Sequence, residues 1–297
     1  MAGEATEKSV FFSAQDGLRL HARVFGEPSP GLAVVCLPGL TRNARDFSGL
    51  ARHLAGNTPN PRRVVAFDYR GRGLSAHARD WRQYNLATEA EDVLAGLTAL
   101  GLERAAFIGT SRGGLIVHLV AAMRPGVLGA VVLNDVGPAL GGAGMAQIKN
   151  YLERPPGAPR SFAEAVATQK RIHGAAFPAL AEADWQRFTA ALYREENGRP
   201  VLDFDPALVN TVKAIDLSLP LPEMWAQFAG LGRVPLLAIR GANSRLLTEE
   251  ILDAMHAKHK DMQSLTVPGQ GHAPLLDMAG LPERIAAFLD EAAPAGS

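Results

Sequence analysis

The chain has 297 residues, of which 47% are hydrophobic and 20% charged, enough apolar material for a sizeable core and the wrong balance for a disordered chain. Thirty basic and thirty acidic residues cancel, so no global field draws the protein to nucleic acid or to an anionic membrane surface. A single cysteine, Cys36, excludes a disulfide framework and reads as a small buried hydrophobe.

The first nine residues carry Glu4 and Glu7 and no apolar core, which is not the pattern of a secretory signal. No run reaches the roughly 18 to 20 apolar residues that a membrane span needs. The expected location is the cytoplasm. The composition leaves the oligomeric state open, a homodimer included.

Short apolar runs alternate with amphipathic stretches from the start. Residues 10–13 and 18–24 read as a hairpin around Asp16-Gly17, and 32–37 as a buried strand. Phe47, Leu50, Ala51 and Leu54 recur at helical spacing, and 63–67 makes the next strand. A helix over 88–100, a strand over 105–108, a helix over 111–123 and a strand over 130–133 follow. The alternation resumes with strands at 234–239 and 264–267 and helices at 248–259 and 282–291. This order predicts an α/β fold with a doubly wound, mostly parallel sheet.

Between residues 138 and 230 strand-like runs disappear, and Gly, Pro, Trp and helical patterns such as 185–193 take over. Short helices with one apolar face must bury it on something larger. Residues 138–230 are therefore expected to form a helical cap inserted before the penultimate strand, on a core made of 1–137 and 231–297.

The strongest chemical signal is Gly109-Thr110-Ser111-Arg112-Gly113-Gly114, a G-x-S-x-G sequence between a strand and a helix. Glycines beside the serine permit the sharp turn that projects its hydroxyl from the top of a sheet. The helix start also aims backbone N–H groups at any oxyanion formed there. Serine needs a base, and among eight histidines His272 stands out. It follows the last strand in Pro268-Gly269-Gln270-Gly271-His272, where the chain order serine, acid, histidine would place it. His118 is expected to pack on the helix after the serine turn, and His256 and His259 to be solvated.

Together with Leu37-Pro38-Gly39-Leu40 and the run Asp68-Tyr69-Arg70-Gly71-Arg72-Gly73-Leu74-Ser75, these motifs resemble the α/β-hydrolase superfamily, in its capped esterase, lactonase and C-C hydrolase branch. The resemblance spans nearly the whole chain in the expected order. It implies an oxyanion hole made by the backbone N–H groups of Leu40 and Arg112, and a structural role for residues 68–75. Proteins of this fold usually carry the triad acid just after the strand that here ends at Arg240-Gly241, but Ala242-Asn243-Ser244-Arg245 offers no carboxylate. Some relatives take the acid from the preceding strand, which makes Asp135 the expected partner of His272. The alternatives are a turn-capping role for Asp135 and an acid at Glu249, Asp253 or Asp277.

Arg42 and Arg112 border the expected site. They would suit a substrate carboxylate, unless each pairs with an internal acid such as Asp68 or Asp135, the reading preferred on their chemistry. Trp185 and Trp225, with Phe177 and Phe188, are weaker candidates for an apolar substrate pocket. There is no metal-ligand cluster and no phosphate-binding glycine loop, so no metal and no cofactor is expected. The expected activity is hydrolysis of a small-molecule ester or lactone through an acyl-enzyme on Ser111. The alternatives are C-C bond hydrolysis of a dienoate or β-diketone, and a receptor-like protein with little turnover.

Overall fold

A computed structural model describes residues 5–154 and 157–292. The start of the stretch read for a leader (1–4), two residues of the insertion (155–156) and the end of the core range (293–297) lie outside the described residues.

Strands β1 (Glu7–Ser13) and β2 (Arg19–Phe25) form an antiparallel hairpin. Then follow β3 (Ala33–Leu37), α1 (Ser48–Gly56), β4 (Val64–Asp68), α2 (Leu86–Ala99), β5 (Ala105–Thr110), α3 (Arg112–Met123) and β6 (Leu128–Asn134). The insertion holds α4 (Gly142–Glu153), α5 (Phe162–His173), α6 (Glu182–Leu192), β7 (Tyr193–Glu196), β8 (Arg199–Leu202), α7 (Val209–Lys213) and α8 (Trp225–Ala229). The core closes with β9 (Leu236–Gly241), α9 (Glu249–Lys258), β10 (Gln263–Val267) and α10 (Leu281–Ala292).

One eight-stranded sheet runs in the order β1-β2-β4-β3-β5-β6-β9-β10. Only β2 opposes the rest, being antiparallel to both β1 and β4. The remaining pairs are parallel. Strands β4, β6 and β9 are buried at every residue, as a parallel sheet covered on both faces requires. Alternate residues feed two cores. Val35, Leu37 and Phe107 pack with residues of α2, α3 and α9, while Val34, Cys36 and Ile108 pack with residues of α1 and α10. Burial pushes the Cys36 thiol pKa up, which keeps the group protonated and inert.

Strands β3 and β5 are neighbours, and the connection leaving β3 runs to β4 on one side while that leaving β5 runs to β6 on the other. Such a switch point opens a crevice at the carboxyl ends of the strands, and the turns after β3 and β5 meet there.

The insertion departs from the all-helical expectation in one place. Strands β7 and β8 form a small antiparallel hairpin, turned by Asn197 and Gly198 at φ +52° and +74°. Asn-Gly is a strong two-residue hairpin signal, but the polar sequence Arg194-Glu195-Glu196 hides it from any hydrophobic period. The helix read over 185–193 accordingly stops at Leu192, and Tyr193 starts the hairpin.

Candidate active site

Ser111 stands between β5 and α3 at φ +52° and ψ −115°, a conformation held by its surroundings. Its N–H donates to the Asn134 carbonyl on β6 across 3.0 Å. The flanking glycines have steric reasons. A Cβ on Gly109 would sit 2.6 Å from the Gly114 nitrogen, and one on Gly113 would sit 2.0 Å from the Leu37 carbonyl oxygen. The close approach of α3 to β3 and β5 therefore depends on those positions.

A continuous hydrogen-bonded chain runs from the serine to a carboxylate. Ser111 Oγ lies 2.8 Å from His272 Nε2, and His272 Nδ1 lies 2.7 Å from Asp135 Oδ2. Asp135 is fully buried, at φ +57°, one residue past β6. Its other oxygen, Oδ1, accepts the Gly241 N–H at 2.8 Å, at the end of β9. Asp135 thus reaches both the imidazole and the strand end after which relatives usually carry their acid.

The backbone N–H groups of Leu40 and Arg112 make no hydrogen bond among the described residues. Both residues line the cavity that Ser111 and His272 also line. A buried network holds the two turns that carry them. Arg72 Nε donates to the Leu40 carbonyl at 2.8 Å, and Arg72 Nη1 pairs with Glu89 at 2.6 Å. The second oxygen of Glu89 accepts from Arg112 Nε at 2.6 Å. Burial works against the Glu89 charge, but Arg112 and Arg72 outweigh it and hold the pKa below the usual carboxylate value.

The cavity measures about 1210 Å³ and is lined by both the core and the insertion. The insertion is tied to the turn after β3: Asn43 Nδ2 donates to the Ala191 carbonyl, and Arg45 donates to the carbonyls of Ala190 and Tyr193. Phe177 and Phe188 line the cavity, but Trp185 and Trp225 do not. Trp185 is buried behind them, edge-on to both rings, and Trp225 packs against Phe228 with Lys258 over its face. Spacing alone could not tell a pocket ring from the one supporting it.

Arg42 and Arg112 are both paired, with Asp46 and Glu89 at 2.6 Å each, and not with Asp68 or Asp135. Every other arginine lining the cavity is also matched by a carboxylate. His118 is buried as expected, but His259 is buried too: its Nε2 lies 3.1 and 3.0 Å from the Leu231 and Val234 carbonyls. The expectation that His259 is solvated fails because the segment 231–234, ahead of β9, covers the end of α9.

The same residue types meet a second time. His21 Nδ1 lies 2.7 Å from Asp68 Oδ2, and His21 Nε2 lies 3.0 Å from Ser9 Oγ. Here Asp68 also accepts the N–H groups of Ala44 and Leu74, which ties residues 68–75 to the segment after β3. Ser9 is on the outermost strand and lines none of the large cavity. Among the described residues no group of three or more His, Cys, Asp or Glu is placed to hold a metal ion. No helix there is long and apolar enough to cross a membrane.

A family model described as the alpha/beta hydrolase fold matches residues 33–279. The chain belongs to the α/β-hydrolase family. This hydrolase is 32% identical to a 3-hydroxybutyrate-oligomer hydrolase of Cupriavidus necator, over 86% of this chain and 87% of that protein. It is 25% identical to esterase YbfF of Escherichia coli, over 86% and 91% of the two chains. Among solved structures it resembles an alpha/beta hydrolase from Novosphingobium aromaticivorans, at TM-score 0.88 and 34% identity, covering 97% of this chain and 99% of the other.

The sequence reading missed Arg72 and Glu89 as supports of the site. Arg72 lay inside a loop read as structural, and Glu89 resembles any acid in the first turn of a helix, so neither carried a distinguishing signal.

Proposed function

We propose that this hydrolase cleaves a neutral carboxylic ester or lactone through an acyl-enzyme on Ser111. The observation that carries this is the chain Ser111 Oγ, His272, Asp135, with contacts of 2.8 and 2.7 Å opening onto one cavity. In this reading His272 Nε2 takes the hydroxyl proton as Ser111 attacks the carbonyl carbon. The oxyanion is met by the N–H groups of Leu40 and Arg112, which have no hydrogen-bond partner among the described residues to give up. His272 returns the proton to the leaving alkoxide. A water deprotonated by the same imidazole then splits the acyl-enzyme, releasing the acid and restoring Ser111.

Asp135 Oδ2 keeps the Nδ1 proton of His272 in place, so the lone pair on Nε2 faces the serine. The insertion between β6 and β9 acts as the cap, since its side chains supply much of the cavity wall. A neutral substrate is favoured over an acidic one because the cavity arginines already have carboxylate partners. That argues against the dienoate alternative. A carboxylate at His272 also favours turnover over the receptor-like alternative.

The test is hydrolysis of p-nitrophenyl esters of increasing acyl length, beside Ser111→Ala and Asp135→Asn. The relative named for 3-hydroxybutyrate oligomers makes such oligomers a member of the series. Turnover abolished by Ser111→Ala supports the scheme; an active Ser111→Ala protein would sink it.

A further inference from the structure

The ionisable side chains of the cavity wall fall into two groups. Most have a partner, as Arg42 has Asp46, Arg187 has Asp277 and Tyr193 has Gln169. Two ionisable side chains differ. Among the described residues, His173 and Tyr151 line the cavity and make no hydrogen bond and no ion pair.

They sit together. Tyr151 is near the end of α4 and His173 is the last residue of α5, and their rings meet edge to face with centroids 5.4 Å apart. His173 also meets the Phe188 ring, with centroids 5.8 Å apart, and the Arg42 guanidinium lies over that same Phe188 ring, 4.4 Å from its centroid. Aromatic contacts hold the pair, and its polar atoms are uncommitted among the described residues. Leaving two such groups unmatched against a mostly apolar wall is unfavourable unless water or a ligand meets them.

The charge state narrows the ligand. Burial, then the nearby charges of Arg42 and His272, bring the His173 pKa down to about 4, so its imidazole is neutral near pH 7. Burial raises the Tyr151 phenol to about 12, so it keeps its proton. A neutral imidazole offers one donor and one acceptor, and a phenol can do either. That set suits a hydroxyl or a carbonyl oxygen and offers no cation to a carboxylate.

We propose that His173 and Tyr151 form a subsite that hydrogen-bonds a second neutral oxygen function of the substrate, a hydroxyl or carbonyl on the molecule that carries the scissile ester. The proposal rests on the ester-hydrolase reading and narrows its substrate class to oxygenated esters. A site built to pair an oxygen function discriminates against the analogue that lacks it.

The experiment compares kcat/KM for ethyl hexanoate with its 3-hydroxy, 5-hydroxy, 3-oxo and 5-oxo analogues. It uses the wild type, His173→Phe, Tyr151→Phe and the partly conservative His173→Gln. The quantity read is the ratio of oxygenated to plain ester within each protein, which general loss of folded enzyme does not change. At least one analogue should exceed ethyl hexanoate by about tenfold, the Phe variants should bring that ratio close to one, and His173→Gln should recover part of it. A wild-type ratio near one for every analogue, or a ratio unmoved by both Phe variants, overturns the subsite. If no ester turns over although a fluorophosphonate labels Ser111, the ratio is read as protection of Ser111 from that label, and equal protection by all five esters overturns the subsite. Absence of labelling at Ser111 overturns instead the serine-hydrolase reading beneath it.

Discussion

Asp135 accepts the backbone N–H of Gly241 across 2.8 Å through Oδ1, which leaves Oδ2 to His272 at 2.7 Å. One carboxylate therefore closes the end of β9 and orients the imidazole. In the proposed scheme β9 therefore needs no acid of its own. The two duties also predict different costs for different substitutions.

Asp135→Asn keeps an oxygen for Gly241 but can present an amide N–H to His272, which favours the wrong tautomer. The expected result is a fall in kcat of roughly 10³- to 10⁴-fold with a modest change in stability. Asp135→Ala should lose as much activity and also leave a buried N–H unpaired, costing about 1–3 kcal/mol. Steady-state kinetics beside urea unfolding separates the two effects.

Ser9, His21 and Asp68 repeat the residue types of the site without its cavity. A fluorophosphonate probe should therefore label Ser111 and not Ser9, and Ser111→Ala should abolish labelling. Peptide mapping of the labelled protein decides it; a modified Ser9 would show that the hydrogen-bonded chain alone suffices for reactivity.

Glu89 joins Arg72, which holds the Leu40 carbonyl, to Arg112. Glu89→Gln should loosen both turns that carry the proposed oxyanion donors, lowering kcat by about 10- to 100-fold with KM little changed. Asp92→Asn is the control, because Asp92 pairs with Arg70 at 2.6 and 2.7 Å in the same loop, on the same helix, without touching Leu40 or Arg112. It should lower the Tm and leave kcat near wild type. Equal effects of the two variants on kcat would mean that Glu89 only supports the fold.

His118 is fully buried on α3, its Nδ1 2.6 Å from the Gly114 carbonyl, and burial lowers its pKa to about 4. An unfolded histidine binds a proton below about 6.5. Between those values the unfolded chain holds more protons than the native one. The stability that His118 contributes is therefore complete above pH 6.5 and is lost as the pH falls toward 4, amounting to about 2 kcal/mol between pH 7 and pH 5. Urea unfolding at the two pH values should show a smaller difference for His118→Phe than for wild type, whatever the variant's absolute stability.

The strands and helices of the core were legible because each buries one face or both, and burial imposes a period. The run 32–37 and the helix after Ser111 show this directly. The β7–β8 hairpin was not legible, since its stability comes from a turn and from packing on the insertion, and its residues include Arg194, Glu195 and Glu196. The fate of the tryptophans was equally hidden. Trp185 supports a wall that Phe177 and Phe188 face, and no period along one helix says which ring lies nearer the space.

By itself the sequence determined the order of elements, the strained serine turn with its required glycines, and the histidine after the last strand, because these depend on local sterics and on hydrophobic period. Only the tertiary structure decided which carboxylate meets His272, which acids neutralise Arg42 and Arg112, and that His173 and Tyr151 share one wall. Those contacts join residues far apart in the chain, 137 positions in the case of Asp135 and His272. Their distances are set by how β6, β9 and the insertion pack, and not by any local preference of the residues involved.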